Sequence, residues 1–241
     1  MPTNYWPTFN KFLSARDAER ASFSMEKLRS YGFEGALTGS LAAEAHLLSR
    51  GLKTEQHPLN DLDFVVESFT SVPSSMASGF LVHHVHPHAP EGKTLLQLID
   101  PEQALRIDLF RQFGAALMRA ERLWGLRVIS LEDLMARTTS LVLGHLRRGA
   151  SIDPKHAHLF RRLAGLGDPA KIDVAWRDHG PSEAEAFYQA AQLAHELLDL
   201  HPELAIRDQY STEVTPCPRC RDAGLFRRAR PEVILKLLGY W

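Results

Sequence analysis

The feature that most constrains the fold of this chain is a change of pattern near residue 128 of its 241 residues. Before that point, helical segments at 14–31 and 41–49 are interleaved with short apolar segments typical of strands. The strand-like segments are residues 33–38, 61–66, 80–86, 94–99, 105–110 and 127–129. After Ser130, helical patterns continue to about Leu200 and again over 231–238. The pattern predicts an α+β fold in which a mixed sheet flanked by helices is followed by a helical domain.

The predicted domain boundary follows from the same change. Residues 1–128 are expected to form an α/β domain, and residues 129–241 a helical domain with a cysteine-containing loop near 201–230. Ser130 has the side chain of a helix N-cap and is followed by the acidic Glu132 and Asp133. Proline in the first helical position predicts that further helices begin after Asp153, Asp168 and at Pro181-Ser182.

Composition excludes several classes of protein. The 28 basic and 29 acidic residues leave a net charge of −1, which argues against a protein that coats nucleic acid through charge alone. No segment approaches the roughly 18 consecutive apolar residues of a membrane span, and no signal peptide is visible at the N-terminus. Two cysteines are too few for a disulfide framework. We therefore expect a soluble cytoplasmic protein without a membrane partner.

Three aspartates on strand-like segments carry the most chemical information. Asp61 and Asp63 are two residues apart on one strand, so their side chains project from the same face. Asp108 lies between apolar residues of a later strand, and it joins them if the two strands are neighbours. Clustered carboxylates repel one another unless a cation lies between them, and Mg²⁺ prefers such oxygen ligands together with substrate phosphates. Two ions about 3.5–4 Å apart can activate a hydroxyl and stabilise a leaving pyrophosphate, so we expect a two-ion magnesium site.

A glycine turn upstream fits the same chemistry. Gly39 and Ser40 lie between a predicted strand and a predicted helix. Glycine allows close approach of a ligand to the backbone, and the free N–H groups of the following helix suit a triphosphate. The hydroxyl of Ser40 adds a further donor to phosphate. The pair predicts a nucleoside triphosphate site beside the carboxylates.

The order of these motifs resembles the polymerase-β-like nucleotidyltransferase superfamily. The matching segments are Leu37-Thr38-Gly39-Ser40, Asp61-Leu62-Asp63-Phe64 and Arg106-Ile107-Asp108-Leu109. The long spacing from Ser40 to Asp61 is most similar to the abortive-infection toxin type and its minimal bacterial relatives. Those relatives continue with an apolar strand, Ser-x-Glu-Asp-Leu and a helix, which residues 128–134 resemble. The resemblance covers roughly residues 35–163.

The resemblance implies a nucleotidyltransferase fold and a magnesium-dependent transfer of a nucleoside monophosphate from an NTP to a hydroxyl. It implies that the metal ions are held by Asp61, Asp63 and Asp108, and that Asp108 also helps to deprotonate the acceptor. Gly39 and Ser40 would hold the triphosphate, with phosphate contacts from two cations of the helical half, Arg137 and Lys155. RNA, a protein side chain and a small molecule all remain open as acceptors, and so does the oligomeric state.

Two other interpretations remain open. His57, Arg137 and His156 depart from the family pattern, which motivates a catalytically lapsed nucleotide-binding or interaction protein on the same fold. Cys217 and Cys220 have the spacing of half a zinc site, next to an arginine-rich segment. These features motivate a zinc-stabilised nucleic-acid binder, although two free thiols in a loop explain them as well.

Histidines supply two further candidate ligand sets. His195 and His201 are nearest in sequence to the cysteine pair and would have to complete a zinc site there. A separate row on a predicted strand and the loop after it consists of His83, His84, His86 and His88. On a strand, His84, His86 and His88 share a face that could bind a transition metal, and an exposed strand face is the alternative.

Overall fold

The computed structural model describes residues 4–56, 58–85, 95–180 and 186–205, with only the backbone at 82–85. Over these residues the chain divides into two compact units. The first contains residues 4–112 and 120–129, and the second contains residues 113–119 and 130–205. The short segment 113–119 therefore belongs with the helices, although strands of the first unit precede and follow it.

The first unit is built on one mixed sheet. Its elements are α1 (Trp6–Phe9), α2 (Ala15–Ser30), β1 (Ala36–Leu37), α3 (Gly39–Ser49), β2 (Asp61–Val66), β3 (Leu81–Val85), β4 (Leu95–Asp100), β5 (Leu105–Arg111), β6 (Glu121–Leu123) and β7 (Leu126–Val128). The seven strands lie in the order β3-β4-β5-β2-β1-β7-β6. The pairs β2–β5 and β1–β7 are parallel, and the other neighbours are antiparallel.

Helix α2 is fixed to one strand end by polar contacts. Ser14 caps it and accepts a hydrogen bond from the backbone N–H of Asp17 at 3.2 Å. Ser24 and Lys27 each donate to the fully buried carboxylate of Asp100 at 2.8 Å, at the end of β4. Because a buried carboxylate needs partners, this contact determines where α2 packs against the sheet.

The central strands separate apolar from charged side chains. On β2, Leu62 and Phe64 are buried, whereas Asp61 and Asp63, which alternate with them, are half-buried. On the adjacent β5, Ile107 and Leu109 are buried in the same way. Alternation with a period of two places the apolar residues in the core and brings charged side chains together on the opposite face.

The second unit is helical. Its helices are α4 (Leu131–Leu146), α5 (Pro154–Leu163), α6 (Pro169–His179) and α7 (Phe187–Leu200), and α4 packs against the other three. Asp153 and Asp168 cap α5 and α6, and each accepts a backbone N–H at 2.9 Å, as the Asp-Pro pairs predict. Helix α7 begins at Phe187, later than the predicted start at Pro181. There the side chain of Gln189 accepts the N–H of Ala186 at 3.3 Å.

The fold class predicted from the sequence is confirmed. The chain has a mixed sheet flanked by helices and then a helical part. Within the described ranges, every helix is too short or too polar to reach across a bilayer.

Candidate metal centre

The register of two parallel strands builds the candidate site. Asp61 on β2 pairs with Arg106 on β5, and Asp63 pairs with Asp108. Positions two apart on a strand share a face, so these four charged side chains form a square on one face of the sheet. The prediction that the two strands are neighbours is confirmed.

The three carboxylates converge closely enough to bind one ion together. One oxygen from each of Asp61, Asp63 and Asp108 lies within 4.8 Å of the other two. Among the described residues, no other group of three or more histidine, cysteine or acidic side chains has a geometry that could hold a metal ion. Asp108 is the most enclosed member, with a side chain that is 7% exposed, whereas that of Asp61 is 22% exposed. We refer to these three residues as the acidic triad.

The electrostatic environment of Asp108 changes its pKa strongly. Burial raises the pKa of its carboxyl, and the nearby charge of Asp61 raises it further. Arg106 and Gln97 oppose these effects, and the resulting pKa is about 6. Gln97 lies opposite Asp108 on β4, and its Nε2 donates to both carboxylate oxygens at 3.1 and 3.0 Å. These bonds fix the orientation of the carboxylate.

Arg106 is the site residue that sequence reasoning missed. Its guanidinium forms an ion pair with Asp61, and its Nε lies 3.0 Å from Oδ1 of Asp108. Burial lowers the pKa of Arg106, but the negative charges of Asp108, Asp61 and Asp63 outweigh that effect and raise it. The available signal was its position two residues before Asp108, which places both side chains on one strand face.

Gly39 lies directly against the acidic triad. Its φ of +69° favours glycine, and a Cβ added there would overlap the carboxylate of Asp63. The preceding residue, Thr38, donates its backbone N–H to the carbonyl of Asp63 at 2.8 Å. The exposed Ser40 follows in the first turn of α3. The glycine turn therefore adjoins the carboxylates, and its role in holding a triphosphate stays a prediction.

The donor set fits a hard divalent cation. Three carboxylates supply the oxygen ligands that Mg²⁺ prefers, and two of them already contact a cation, the guanidinium of Arg106. The buried hydroxyl of Thr38, at the N-cap of α3, has no hydrogen-bond partner among the described residues. The acidic triad could thus hold a metal ion.

Arg137 and Lys155, the two predicted phosphate contacts, belong to the second unit. Arg137 lies on α4 and is half-buried, and Lys155 lies exposed in the first turn of α5. The adjacent His156 has its pKa lowered to about 4, chiefly by burial and then by the charge of Lys155. The roles of Arg137 and Lys155 at the acidic triad stay predictions.

The Ser-x-Glu-Asp-Leu segment has a structural function in the second unit. Asp133 is fully buried and accepts two hydrogen bonds from Arg119, from Nε at 2.9 Å and from Nη2 at 2.6 Å. His179 contacts the same carboxylate at 2.9 Å, and Ser130 caps the helix through the N–H of Asp133 at 3.1 Å. These contacts tie segment 113–119, helix α4 and helix α6 together.

Several residues singled out from the sequence, as candidate ligands or as departures from the family pattern, lie outside the described residues. These are Cys217 and Cys220, His57, His86 and His88, together with the side chains of His83 and His84. The two histidines proposed to complete a zinc site are described and have other contacts. His195 stacks on Phe160 with ring centroids 4.4 Å apart, and His201 lies 3.1 Å from Glu203. The zinc hypothesis stays a prediction.

Comparison with known proteins gives limited similarity. No family model and no curated protein matches the chain. Two solved structures from Helicobacter pylori align over most of their length. The protein JHP933 aligns with 79% of this chain and 97% of its own, at 13% identity and a TM-score of 0.34. A protein provisionally described as a nucleotidyltransferase aligns with 77% of this chain and 95% of its own, at 14% identity and a TM-score of 0.29. Likeness at this level carries no argument about activity.

Proposed function

We propose that this protein is a metal-dependent nucleotidyltransferase that moves a nucleoside monophosphate from an NTP to a hydroxyl group. The observation that carries the proposal is the convergence of the acidic triad within 4.8 Å, beside the glycine turn at Gly39. Carboxylates that hold divalent ions next to a helix N-terminus suit a reaction of nucleoside triphosphates.

Asp61, Asp63 and Asp108 would hold Mg²⁺, which favours ionisation of the acceptor hydroxyl and offsets the charge of the leaving pyrophosphate. The acceptor oxygen forms a bond to the α-phosphorus, and the bond from that phosphorus to the α–β bridging oxygen breaks. Pyrophosphate leaves with the electron pair of that bond. The hydroxyl proton passes to a carboxylate, for which Asp108 is the candidate in this site.

The first turn of α3 is the proposed triphosphate site. The first backbone N–H groups of a helix have no partner within the helix and favour anions. Ser40 is exposed in that turn, so its hydroxyl is available to a phosphate oxygen. Arg137 and Lys155 are the proposed phosphate contacts from the second unit. RNA, a protein side chain and a small molecule are the candidate acceptors, and the toxin-type subgroup stays a prediction.

Label transfer tests the proposal directly. The protein is incubated with Mg²⁺ and each α-³²P-labelled NTP, with cellular RNA and protein supplied as acceptors. An Asp61→Asn/Asp63→Asn variant removes the metal ligands with little change in volume. Glu67→Gln is the matched control, because Glu67 is exposed and lies immediately after β2. We expect wild type and the control to transfer label to one acceptor class and the double variant to transfer none.

The outcomes separate the two interpretations of the fold. Transfer that is abolished only in the double variant supports the enzyme. Metal-dependent NTP binding without transfer or pyrophosphate release would instead support the catalytically lapsed nucleotide-binding protein. Equal transfer by wild type and the double variant would show that another site carries the activity and would refute the assignment of the triad.

A further inference from the structure

A positively charged side chain, that of Arg106, lies beside the carboxylates of the acidic triad. Arg106 forms ion pairs with Asp61 and with Asp108, and its side chain is 30% exposed. We infer that Arg106 occupies the position of a second metal ion and limits the triad to one divalent cation in the absence of nucleotide. This inference rests on the metal site of the proposed function.

The position of Arg106 follows from the register of the strand pair β2–β5. Its register partner across the parallel pair is Asp61, and Asp108 is two residues further along its own strand. Both carboxylates are therefore within reach without any rearrangement of β5. A guanidinium stays protonated under all ordinary conditions, so it contributes a permanent positive charge.

Charge balance then favours a single ion. The guanidinium already brings one positive charge to the three carboxylates. One divalent cation raises the number of positive charges on Arg106 and the ion to three, which equals the number of carboxylates. A second would bring two uncompensated positive charges into a site in which Asp108 is only 7% exposed. Additional anions, such as nucleotide phosphates, would be needed to bring in the second ion.

The available oxygen atoms lead to the same conclusion. Arg106 contacts Oδ2 of Asp61 and Oδ1 of Asp108, and Gln97 donates to both oxygens of Asp108. A second ion bridging Asp61 and Asp108 would have to displace the guanidinium from both carboxylates. The two-ion site expected from sequence is thus, without nucleotide, a site for one ion and one arginine.

Counting bound Mn²⁺ tests this inference without any activity assay. The free Mn²⁺ signal in electron paramagnetic resonance is titrated against full-length protein, with no nucleotide present. Arg106→Gln removes the charge, whereas Arg106→Lys retains it. Arg111→Gln is the matched control, because Arg111 is exposed at the end of the same strand. Arg106→Met, which keeps the aliphatic stem, replaces the glutamine variant if that variant does not fold.

We expect one bound Mn²⁺ per chain for wild type, Arg106→Lys and Arg111→Gln. For Arg106→Gln we expect two, with the first bound about tenfold or more tightly because a nearby like charge has been removed. One ion bound with wild-type affinity to Arg106→Gln would overturn the inference and leave the proposed function standing. Absence of Mn²⁺ binding in every variant would instead overturn the metal site itself.

Discussion

Replacement of Arg119 by methionine should strongly destabilise the second unit and weaken the pH dependence of its stability. Asp133 has no exposed surface, and Arg119 donates two hydrogen bonds to it. Removing one partner of a buried ion pair costs about 3–5 kcal/mol, because the remaining charge stays buried without compensation. Contacts from His179 and Ser130 remain, so we expect a loss of about 3 kcal/mol at pH 7.

The pKa of Asp133 gives an independent estimate of the effect. Burial raises the pKa, but hydrogen bonds from Arg119, His179 and Ser130 outweigh burial and lower it from 3.8 to about 2. This difference corresponds to about 2 kcal/mol of stability, fully present above pH 4 and lost as the pH falls towards 2. Without Arg119, the largest of the interactions that lower the pKa is lost, so the pKa of Asp133 rises and this contribution becomes smaller. The difference between wild type and Arg119→Met should therefore shrink as the pH falls from 7 to 3.

Urea denaturation followed by far-ultraviolet circular dichroism measures these free energies at each pH. Arg161→Met is the control, because the ion pair of Arg161 with Asp199 at 2.7 Å joins side chains that are 50% and 73% exposed. Such surface pairs contribute about 0–1 kcal/mol. A loss below 1 kcal/mol for Arg119→Met, or a loss equal at pH 7 and pH 3, would refute the structural role of this network. Unchanged stability with abolished nucleotidyl transfer would place the network in the catalytic machinery instead.

Two shorter predictions concern the candidate site itself. Gly39→Ala should abolish Mn²⁺ binding, because its Cβ would displace Asp63. Gly51→Ala should cost only about 1–2 kcal/mol of stability, because Gly51 has a similar φ of +67° but open space around it among the described residues. Metal titration and thermal melting of both variants decide this, and equal Mn²⁺ affinity in the two would count against it. Asp108→Asn should stabilise the metal-free protein at pH 7 by up to about 3 kcal/mol, because the folded protein disfavours the ionised carboxylate and so raises the pKa of Asp108 to about 6. At pH 4 the substitution should leave the stability almost unchanged, because Asp108 is then protonated in the folded protein. Urea denaturation in a chelator tests this, and no gain at pH 7 would contradict it.

The convergence of the candidate metal ligands could be predicted from sequence because strand geometry is local. Asp61 and Asp63 are two residues apart, so their common face follows from the period of a strand alone. Placing Asp108 beside them required one further assumption, that β2 and β5 pair, and the motif order supplied it. The bounds of β2 agree with the predicted segment because its apolar residues alternate cleanly with the aspartates.

The remaining parts depend on contacts that are distant in sequence. The spacing of two residues from Asp108 places Arg106 on the same strand face, but its contact with Asp61 can be recognised only when the register of β5 against β2 is known, and register is set by the whole sheet. Similarly, Ser130 could be predicted as a helix cap, whereas the partner of Asp133 lies 14 residues earlier in the chain, outside any helical period. Gln97 reaches Asp108 across a strand pair for the same reason.

The register of β5 also bears on how the sheet assembles. The two aspartates of β2 would repel any strand that brought only a third carboxylate to them. Strand β5 instead delivers Arg106 and Asp108 together, so that its site residues arrive as a neutral pair. The parallel partners are 45 residues apart in the chain, and such distant pairing is a slow event in folding. We therefore expect Arg106 to act already during folding, because its positive charge offsets the repulsion between the carboxylates and allows β2 and β5 to pair without a metal ion.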